Sequence, residues 1–342
     1  YDITPVRSTG SITGFNTTNN SSTVTVTDPG HGASVGDFVT ISSTSGAVNG
    51  IPAATMNAEY QILTVPTSNT FTITAAANAT STGASAATAT ATYQISVGTA
   101  VSQYGYGWGT WQWGKEAWGT PRSTSNVTIE GRNWSFDNFG EDLLATVNNG
   151  STFRWDTSVG TGTPAAVVAS APSVSRFNLV SMPDRHVFLF GTETTIGSSN
   201  TQDDLFLRFS SQEDYTTWAP TATNTAGSFR IQDGSKIVTA VRSRNAVLVW
   251  TDTSLNALQF VGAPFTFNLT QIGANCGAVS LHSAVDVNGT AFWMSQNSFY
   301  KFDGAVSKMP CSVQDYVFED FSITNQPETY AAVNSEFNEV TW

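Results

Sequence analysis

The stretch that decides the fold is Asp142-Leu143-Leu144-Ala145-Thr146-Val147, then Asn149-Gly150, then Phe153-Arg154-Trp155-Asp156. Asn-Gly between two apolar runs is typical of a β-hairpin turn. Three later pairs of runs repeat the pattern: Arg185 to Phe190 with Leu205 to Phe209, Arg244 to Trp250 with Ala257 to Val261, and Asn288 to Met294 with Phe299 to Asp303. Their starts lie roughly 40 to 60 residues apart, which is the spacing of four-stranded propeller blades. The pattern therefore predicts a β-propeller.

Helical periodicity is scarce elsewhere, so the predicted class is all-β. We expect residues 1–9 to supply a strand of the main domain and residues 10–98 to form an inserted small β-sandwich or barrel-like domain. Within that domain, Ala75 to Thr92 is Ala/Thr-rich and predicts a mobile loop or an edge strand. A Gly/Trp-rich connector follows at 99–125. The propeller then occupies 126–342 with about five blades and is expected to continue beyond Trp342.

The chain is acidic and sparsely charged. It has 342 residues, of which 12% are charged, and 26 acidic against 14 basic residues give a net charge of −12. No basic stripe is available to neutralise phosphates, which argues against tight nucleic-acid binding. An acidic wall that lets DNA slide past remains a hypothesis. A neutral polar surface suits permanent subunit contacts, because ionic groups are costly to desolvate.

The sequence also bears on cellular context. Cys276 and Cys311 could form at most one optional pair, so a disulfide framework is not expected and assembly in a reduced host cytoplasm fits. Neither an apolar run of about 18 residues nor a signal-peptide pattern occurs, so we expect neither membrane insertion nor classical secretion.

Two segments are candidate contact or turn sites. Residues 104–121 alternate aromatic residues with glycine, and the four tryptophans could fill a seam between domains, anchor a subunit interface or form a sugar-stacking platform. They are Trp108, Trp111, Trp113 and Trp118. The second segment, Ser211 to Trp218, looks like the Asp-box turn of propellers, with Glu213 in the place of the aspartate. Its expected role is structural, with an acid closing the turn and the Trp218 indole covering the blade edge.

The residues that could carry chemistry are few and scattered. His31, His186 and His282 lack the spacing of metal ligands, and neither a nucleophile elbow nor a phosphate-binding loop occurs, so no catalytic, metal or cofactor site is expected. The acidic pairs Glu141-Asp142, Asp203-Asp204 and Glu213-Asp214 lie at strand starts or turns, where acids usually accept backbone N–H bonds. Six arginines are numerous enough to hold a substrate carboxylate, although Arg242 and Arg244 could equally pair with acids across a subunit seam. The six are Arg176, Arg185, Arg208, Arg230, Arg242 and Arg244.

Two groups of motifs resemble known phage proteins. Residues 31–39 (His-Gly-x-x-Val-Gly-Asp-x-Val) and Asn69 to Ile73 resemble a small β module often inserted in phage virion proteins. Between Leu205 and Phe321 the order of six motifs is similar to that of tail nozzle (hub) proteins of short-tailed, podovirus-type phages. These motifs are Trp218-Ala219-Pro220, Asp233-Gly234-Ser235, Ala246 to Trp250, Phe260 to Phe265, Gly273 to Gly277 and Phe299 to Gly304.

The nozzle resemblance implies a non-enzymatic virion protein. It would form a homohexameric ring below the portal and adaptor proteins, let the genomic DNA pass without sequence-specific binding, and anchor a tail spike, fibre or needle. The inserted module departs from the best-known members of that family. Two alternatives remain open: a carbohydrate-binding or glycan-degrading propeller used in host attachment, and a secreted lectin-like repeat protein.

Overall fold

The computed structural model describes residues 2–96, 131–182, 184–262, 264–322 and 325–342. The chain divides into two compact units, residues 1–100 with 155–166 and residues 101–154 with 167–342. Strands dominate both units, and the prediction of an all-β protein is confirmed. The predicted connector at 99–125 lies outside the described residues.

The first unit is a two-sheet sandwich. Its strands are β1 (Val6–Ile12), β2 (Gly14–Thr17), β3 (Thr23–Thr27), β4 (Phe38–Ser42), β5 (Glu59–Gln61), β6 (Thr64–Thr67), β7 (Thr70–Thr74), β8 (Gly83–Ser85) and β9 (Ala89–Gln94), with helix α1 (Ala53–Met56) between β4 and β5. One sheet has the order β1-β9-β4-β5 and the other β6-β7-β3-β2-β8. Alternation of Thr with apolar residues turns one face of each strand inward, so Val24, Ile41, Phe71 and Tyr93 share one core.

Two details of this unit differ from the expectation. Strand β1 pairs with β9, from Val6 opposite Gln94 to Ile12 opposite Ala89, so the chain enters the small domain before residue 10. The Ala/Thr-rich stretch contains β8, which is an edge strand as expected, but it also supplies most of β9, which lies between β1 and β4 as an inner strand. Its low-complexity sequence hides a period of two, in which Ala89, Ala91 and Tyr93 are buried and the threonines between them are not. The small alanines lie beside larger buried residues of the neighbouring strands: Ala89 is opposite Ile12, and Ala91 is opposite Ile41.

The His31–Asp37 motif builds a turn at the edge of this core. The His31 ring packs against Phe71 and Tyr93, with centroids 5.2 and 6.3 Å away, and its Nδ1 accepts the Ala33 N–H at 3.0 Å. Asp37 Oδ2 accepts the Ser34 N–H at 2.9 Å. Gly36 has a φ of +93°, which an L side chain would strain. The motif therefore serves the fold of the small domain.

The second unit contains four four-stranded antiparallel sheets in series. Sheet 1 has β10 (Trp134–Phe139), β11 (Asp142–Val147), β12 (Thr152–Trp155) and β13 (Ala166–Val167); sheet 2 has β14 (Phe177–Val180), β15 (Val187–Phe190), β16 (Phe206–Phe209) and β17 (Gly227–Arg230). Sheet 3 has β18 (Ile237–Arg242), β19 (Val247–Thr251), β20 (Ser254–Gly262) and β21 (Thr266–Ala274); sheet 4 has β22 (Ala284–Val287), β23 (Thr290–Met294), β24 (Phe299–Phe302) and β25 (Val306–Lys308). Helix α2 (Gln314–Glu319) and the pair β26 (Ala332–Asn334) and β27 (Glu339–Thr341) follow.

Each sheet is an up-and-down meander in sequence order, as in a propeller blade. The three later predicted hairpins correspond to the pairs β15–β16, β19–β20 and β23–β24, the middle strands of blades 2, 3 and 4. The structure adds a first and a fourth strand to each. The propeller prediction is confirmed.

The first strands of the blades lie side by side. Ser135 Oγ on β10 donates to the Asn178 carbonyl on β14 at 2.9 Å, and Thr239 Oγ1 on β18 donates to the Leu281 carbonyl just before β22 at 2.6 Å. Between blades 3 and 4, the buried rings of Trp250 and Trp293 lie 5.3 Å apart. Burying an aromatic side chain stabilises a fold by about 1.5–3 kcal/mol, so these layers hold the blades together.

Candidate functional site

Strands β10, β14 and β18 finish at the same end of the propeller, which we call the turn face. There Arg242, the last residue of β18, reaches two other blades. Its Nη1 donates to Asp137 Oδ2 on β10 at 2.6 Å and to the Val180 carbonyl at the end of β14 at 3.0 Å. Asp137 Oδ2 also accepts the Val180 N–H at 2.7 Å. One guanidinium therefore connects blades 1, 2 and 3.

The turn between β14 and β15 contains a buried acid–imidazole pair. Asp184 Oδ2 accepts the Ser181 hydroxyl at 2.6 Å and lies 2.8 Å from His186 Nδ1. Burial raises the pKa of Asp184, but the hydrogen bonds from His186 and Ser181 outweigh burial, so the pKa lies below its ordinary value. His186 Nε2 lies 3.1 Å from Thr225 Oγ1, which accepts the Gln212 N–H at 2.7 Å.

The hydrogen-bonded series Asp184, His186 and Thr225 has the same sequence of groups as a nucleophilic triad, acid, imidazole and hydroxyl, but a substrate could not reach it. The His186 side chain has 0% exposure, and the Thr225 oxygen already holds a backbone N–H and the imidazole. The series ties the β14–β15 turn to the loop after β16. It orders the turn face, and we assign it no chemistry.

Beside this pair, the hairpin of β20 and β21 extends past its blade. Strand β19 pairs with β20 only as far as Val247 opposite Leu258, whereas β20 and β21 stay paired to Gly262 opposite Thr266. We call the projecting part, residues 259–262 and 264–268, the arm. Its tip is apolar, with Phe260 41%, Val261 51% and Phe265 77% exposed.

The base of the arm is anchored by rings. The Phe267 ring lies 4.9 Å from Phe188, 5.0 Å from Phe209 and 5.0 Å from His186. Thr266 has a φ of +56°, an unusual value for a β-branched residue, and is buried. Such strain persists only where the surroundings impose it, which is common at functional sites.

A pocket of about 280 Å³ opens next to the arm. Its wall combines apolar and polar side chains: Met182 and Asp184 come from the β14–β15 turn, Arg244 from the β18–β19 turn, and Phe260 from the arm. Met182 is 56% exposed. Arg244 is exposed too, and its Nη2 donates to the Asn288 carbonyl at 2.5 Å.

The Ser211–Trp218 segment forms a closed turn on the same face. The Ser211 N–H donates to the Thr217 carbonyl at 2.8 Å, and the Trp218 indole, 2% exposed, donates to the Tyr215 carbonyl at 2.7 Å. The acid of this turn is Asp214 instead of Glu213, since Asp214 Oδ1 accepts the N–H and the hydroxyl of Thr216 at 2.7 and 2.6 Å.

Glu213 contributes backbone geometry to the turn. Its φ is +56°, its side chain is exposed, and its N–H donates to the Arg185 carbonyl at 3.0 Å. Burial raises the pKa of Asp214, but hydrogen bonds from Thr216 and Thr217 outweigh it and hold the pKa below its usual range. Two adjacent acids in one turn cannot both occupy the capping position, and the sequence alone did not distinguish them.

Three other acids of the predicted pairs form ion pairs within the chain, and Glu141 is exposed at the turn before β11. Asp142 lies 2.7 Å from Arg154, Asp203 lies 2.6 Å from Arg230, and Asp204 lies 3.7 Å from Arg176. Asp203 also accepts the Leu205 N–H at 2.9 Å. These contacts stabilise strand starts, and none of them brings two carboxylates together around a shared cleft.

The remaining candidates are dispersed. In the described parts of the chain, no three His, Cys, Asp or Glu side chains lie close enough to hold a metal ion. Burial lowers the pKa of His282, whose ring packs on Tyr330 at 5.2 Å. Cys276 and Cys311 are both free thiols. Trp108, Trp111, Trp113 and Trp118 lie outside the described residues, as does Pro183. Of the helices within the described ranges, none is long and apolar enough to cross a membrane.

Sequence reasoning missed the arm and its pocket. The available signal was a stretch from Ser254 to Ala274 without a single charged residue, ending its first strand in Phe260-Val261-Gly262. The sequence did not indicate that Met182 and Asp184 would line the pocket, because they reach it only when blade 2 packs against blade 3.

Comparison with protein-family models found no match, and comparison with curated proteins found none either. Among solved structures, the chain is similar to phage phi92 endosialidase at 14% identity and a TM-score of 0.29, over 99% of this chain and 57% of that one. It is similar to a mutant of AofleA from Arthrobotrys oligospora at 12% identity and a TM-score of 0.30, over 53% and 56% of the two chains. It is also similar to apo AztD from Citrobacter koseri at 7% identity and a TM-score of 0.34, over 90% of this chain and 72% of that one. The chain thus spans little more than half of the first two proteins, and the propeller assignment rests on the sheets described above.

Proposed function

We propose that the protein is a non-enzymatic subunit of a short phage tail, which assembles as a nozzle-type homohexameric ring around the DNA exit path. The observation that carries this proposal is the distribution of charged and apolar residues on the turn face. Two pairs of its ionisable groups bind one another within the chain, Arg242 with Asp137 and Asp184 with His186, while the element that projects from it is uncharged and largely apolar. Such a surface suits docking better than chemistry.

The order of nozzle-like motifs supports the same proposal. In the structure, the Gly273–Gly277 motif is a packing device: a Cβ at Gly277 would lie 2.1 Å from the Asp252 carbonyl, and the buried Cys276 carbonyl accepts the Trp293 indole N–H at 2.7 Å. The resembling residues therefore specify how blade 3 meets blade 4. If the resemblance to nozzle proteins holds, these residues would preserve the same packing between blades in both.

In this proposal, the Arg242 contact bears on where DNA would pass. Arg242 bridges blades 1, 2 and 3 at the ends of their first strands, and β10 and β14 are joined by direct hydrogen bonds. No duplex could pass among these three blades. In the proposed ring, the channel therefore runs between subunits, and the propeller forms part of its wall.

Native mass spectrometry and electron microscopy of the purified protein test the proposal. We expect closed rings of six copies that persist at 0.5 M salt, since interfaces with little charge are weakly screened. A protein that stays monomeric alone, and in the presence of adaptor and portal proteins from the same phage, would contradict it.

A glycan-binding attachment protein is the second candidate. The pocket beside the arm favours it, because Arg244 and Gln259 provide donors next to the exposed Phe260 face. Incubation with host surface polysaccharide distinguishes the two candidates. Saturable binding or cleavage that is lost in Arg244→Ala would favour the glycan function, whereas the structural proposal expects neither.

A further inference from the structure

The arm reaches clear of its own blade. Beyond Leu258, the last β20 residue paired with β19, four more residues continue to Gly262. At about 3.3 Å per residue the arm projects roughly 13 Å. An extension of this length presents the side chains near its tip to whatever lies beyond the subunit.

The tip is held in one orientation. Phe267 is 3% exposed and surrounded by Phe188, Phe209 and His186, and Phe260 packs on Phe267 with centroids 5.5 Å apart. Phe265, two residues away, is 77% exposed. The backbone that carries Phe265 is therefore fixed, since its N–H also donates to the Gly262 carbonyl at 3.2 Å, while its exposed ring is available for contact. An exposed aromatic on an anchored backbone is typical of an interface anchor.

The charge distribution indicates which partner the exposed Phe265 can contact. Each copy carries a net charge of −12, so two copies repel one another unless they touch through neutral surface. Residues 254–274 contain no Asp, Glu, Lys or Arg. The arm therefore offers a contact at which copies of this chain can approach without bringing like charges together.

The pocket beside the arm fits the anchor. A cavity of about 150 Å³ suffices to bind benzene, so about 280 Å³ accommodates a phenyl ring with its methylene. Met182 is a flexible apolar wall, and the exposed Arg244 can lie over an aromatic face. Phe265 does not fill the pocket of its own chain, because most of its surface is exposed.

We infer that Phe265 of one copy docks into the pocket formed by Met182, Arg244 and Phe260 of a second copy. Phe265 and the pocket side chains Met182 and Arg244 lie on different elements, so one copy's Phe265 can enter the next copy's pocket while its own pocket receives the Phe265 of a third. Such a head-to-tail contact repeats around a ring until it closes, whereas covalent dimers alone in the test below would indicate a two-fold exchange of arms and would overturn the inference. The inference rests on the proposed ring and names the contact that builds it.

Disulfide trapping tests the contact directly. In a Cys311→Ser background, which leaves only the buried Cys276, the pair Met182→Cys and Phe265→Cys is oxidised and run on a non-reducing gel. We expect covalent ladders longer than dimers, which require one bond to each of two neighbours. The two single-cysteine variants are controls and should give no ladder. If the double variant forms rings but gives no ladder on the gel, the inference is overturned.

A substitution provides the second readout. Phe265→Asp should weaken ring formation about thirtyfold or more, because an aromatic anchor is lost and a like charge is added. Its melting temperature should match wild type, since the side chain is exposed. Tyr316→Asp, at an 84% exposed aromatic far along the chain, is the matched control and should leave the ring unchanged.

The two failures are distinguishable. Rings that persist in Phe265→Asp overturn arm docking and leave the ring proposal standing. A wild-type protein that is monomeric at every concentration overturns both, and an arm that binds only another tail protein overturns docking between copies.

Discussion

Replacing Arg242 with alanine should loosen the contact among blades 1, 2 and 3. The substitution removes the bonds to Asp137 at 2.6 and 2.9 Å and to the Val180 carbonyl at 3.0 Å. The Asp137 side chain is only 12% exposed and would keep the Val180 N–H as a donor. Its carboxylate would therefore lose its cation but not all of its hydrogen bonds.

The expected magnitude lies between two limits. Hydrogen bonds to charged groups contribute about 1.5–3 kcal/mol, whereas exposed ion pairs contribute about 0.2–1 kcal/mol. Because the Arg242 side chain is 42% exposed, solvent screens it, and we expect a loss of about 1.5 kcal/mol in the free energy of unfolding. For a domain of this size that corresponds to a melting temperature lower by about 3–6 °C.

Arg230→Ala is the matched control. The Arg230 side chain is 48% exposed and lies 2.6 Å from Asp203, but it joins β17 to the start of β16 within one blade. Urea denaturation and differential scanning fluorimetry of both variants give the comparison, and the control should lose less than about 0.7 kcal/mol. Equal losses in the two variants would refute the idea that Arg242 stabilises contacts between blades.

Three further predictions concern single positions. Gly277→Ala should lower the free energy of unfolding in urea by about 3 kcal/mol, since its Cβ would meet backbone at 2.1 Å, whereas Gly162→Ala, with nothing within 4 Å, should have no effect. Tyr93→Phe removes the hydroxyl that donates to the buried Asp28 at 2.6 Å and should cost the small domain about 1–3 kcal/mol at neutral pH. Burial, and next the Asp28 bond, raise the pKa of Tyr93, so its contribution to stability is fully present below about pH 10 and is lost above it. The loss above about pH 10 should be smaller in the variant, where Tyr60, whose pKa burial also raises, still contributes. Burial raises the pKa of Cys276 to about 11, so a thiol reagent at pH 8 should modify Cys276 only after denaturation.

The sequence predicted the blades because their middle strands carry their own signal. Runs such as Val247 to Trp250 are continuously apolar and are followed by short turns, and this pattern is local. The first and fourth strands were less visible, since Phe177–Val180 and Gly227–Arg230 are short and mixed in polarity. Their identity as strands comes from pairing with the middle of the sheet.

The candidate site was far less predictable. Asp184, His186 and Phe267 meet only after blades 2 and 3 have packed, so no spacing in the sequence links them. The choice of Asp214 over Glu213 in the turn depended on a positive φ at residue 213. Pairing of Arg242 with an acid was anticipated, but across a subunit seam, whereas its partner Asp137 belongs to the same chain.

The Arg242–Asp137 contact joins residues 105 positions apart. A ribosome adding about 5 to 20 residues per second needs roughly 5 to 20 s to cover that distance. During this interval the first two blades emerge without the cation that later bridges them, and they are held by the hydrogen bonds between β10 and β14 and by packing of Phe139 and Leu144 against Val180 and Leu189. The bridge among the first three blades therefore forms only after β18 of blade 3 has arrived, and nascent chains stalled before residue 242 should be captured by chaperones more readily than chains that have passed it.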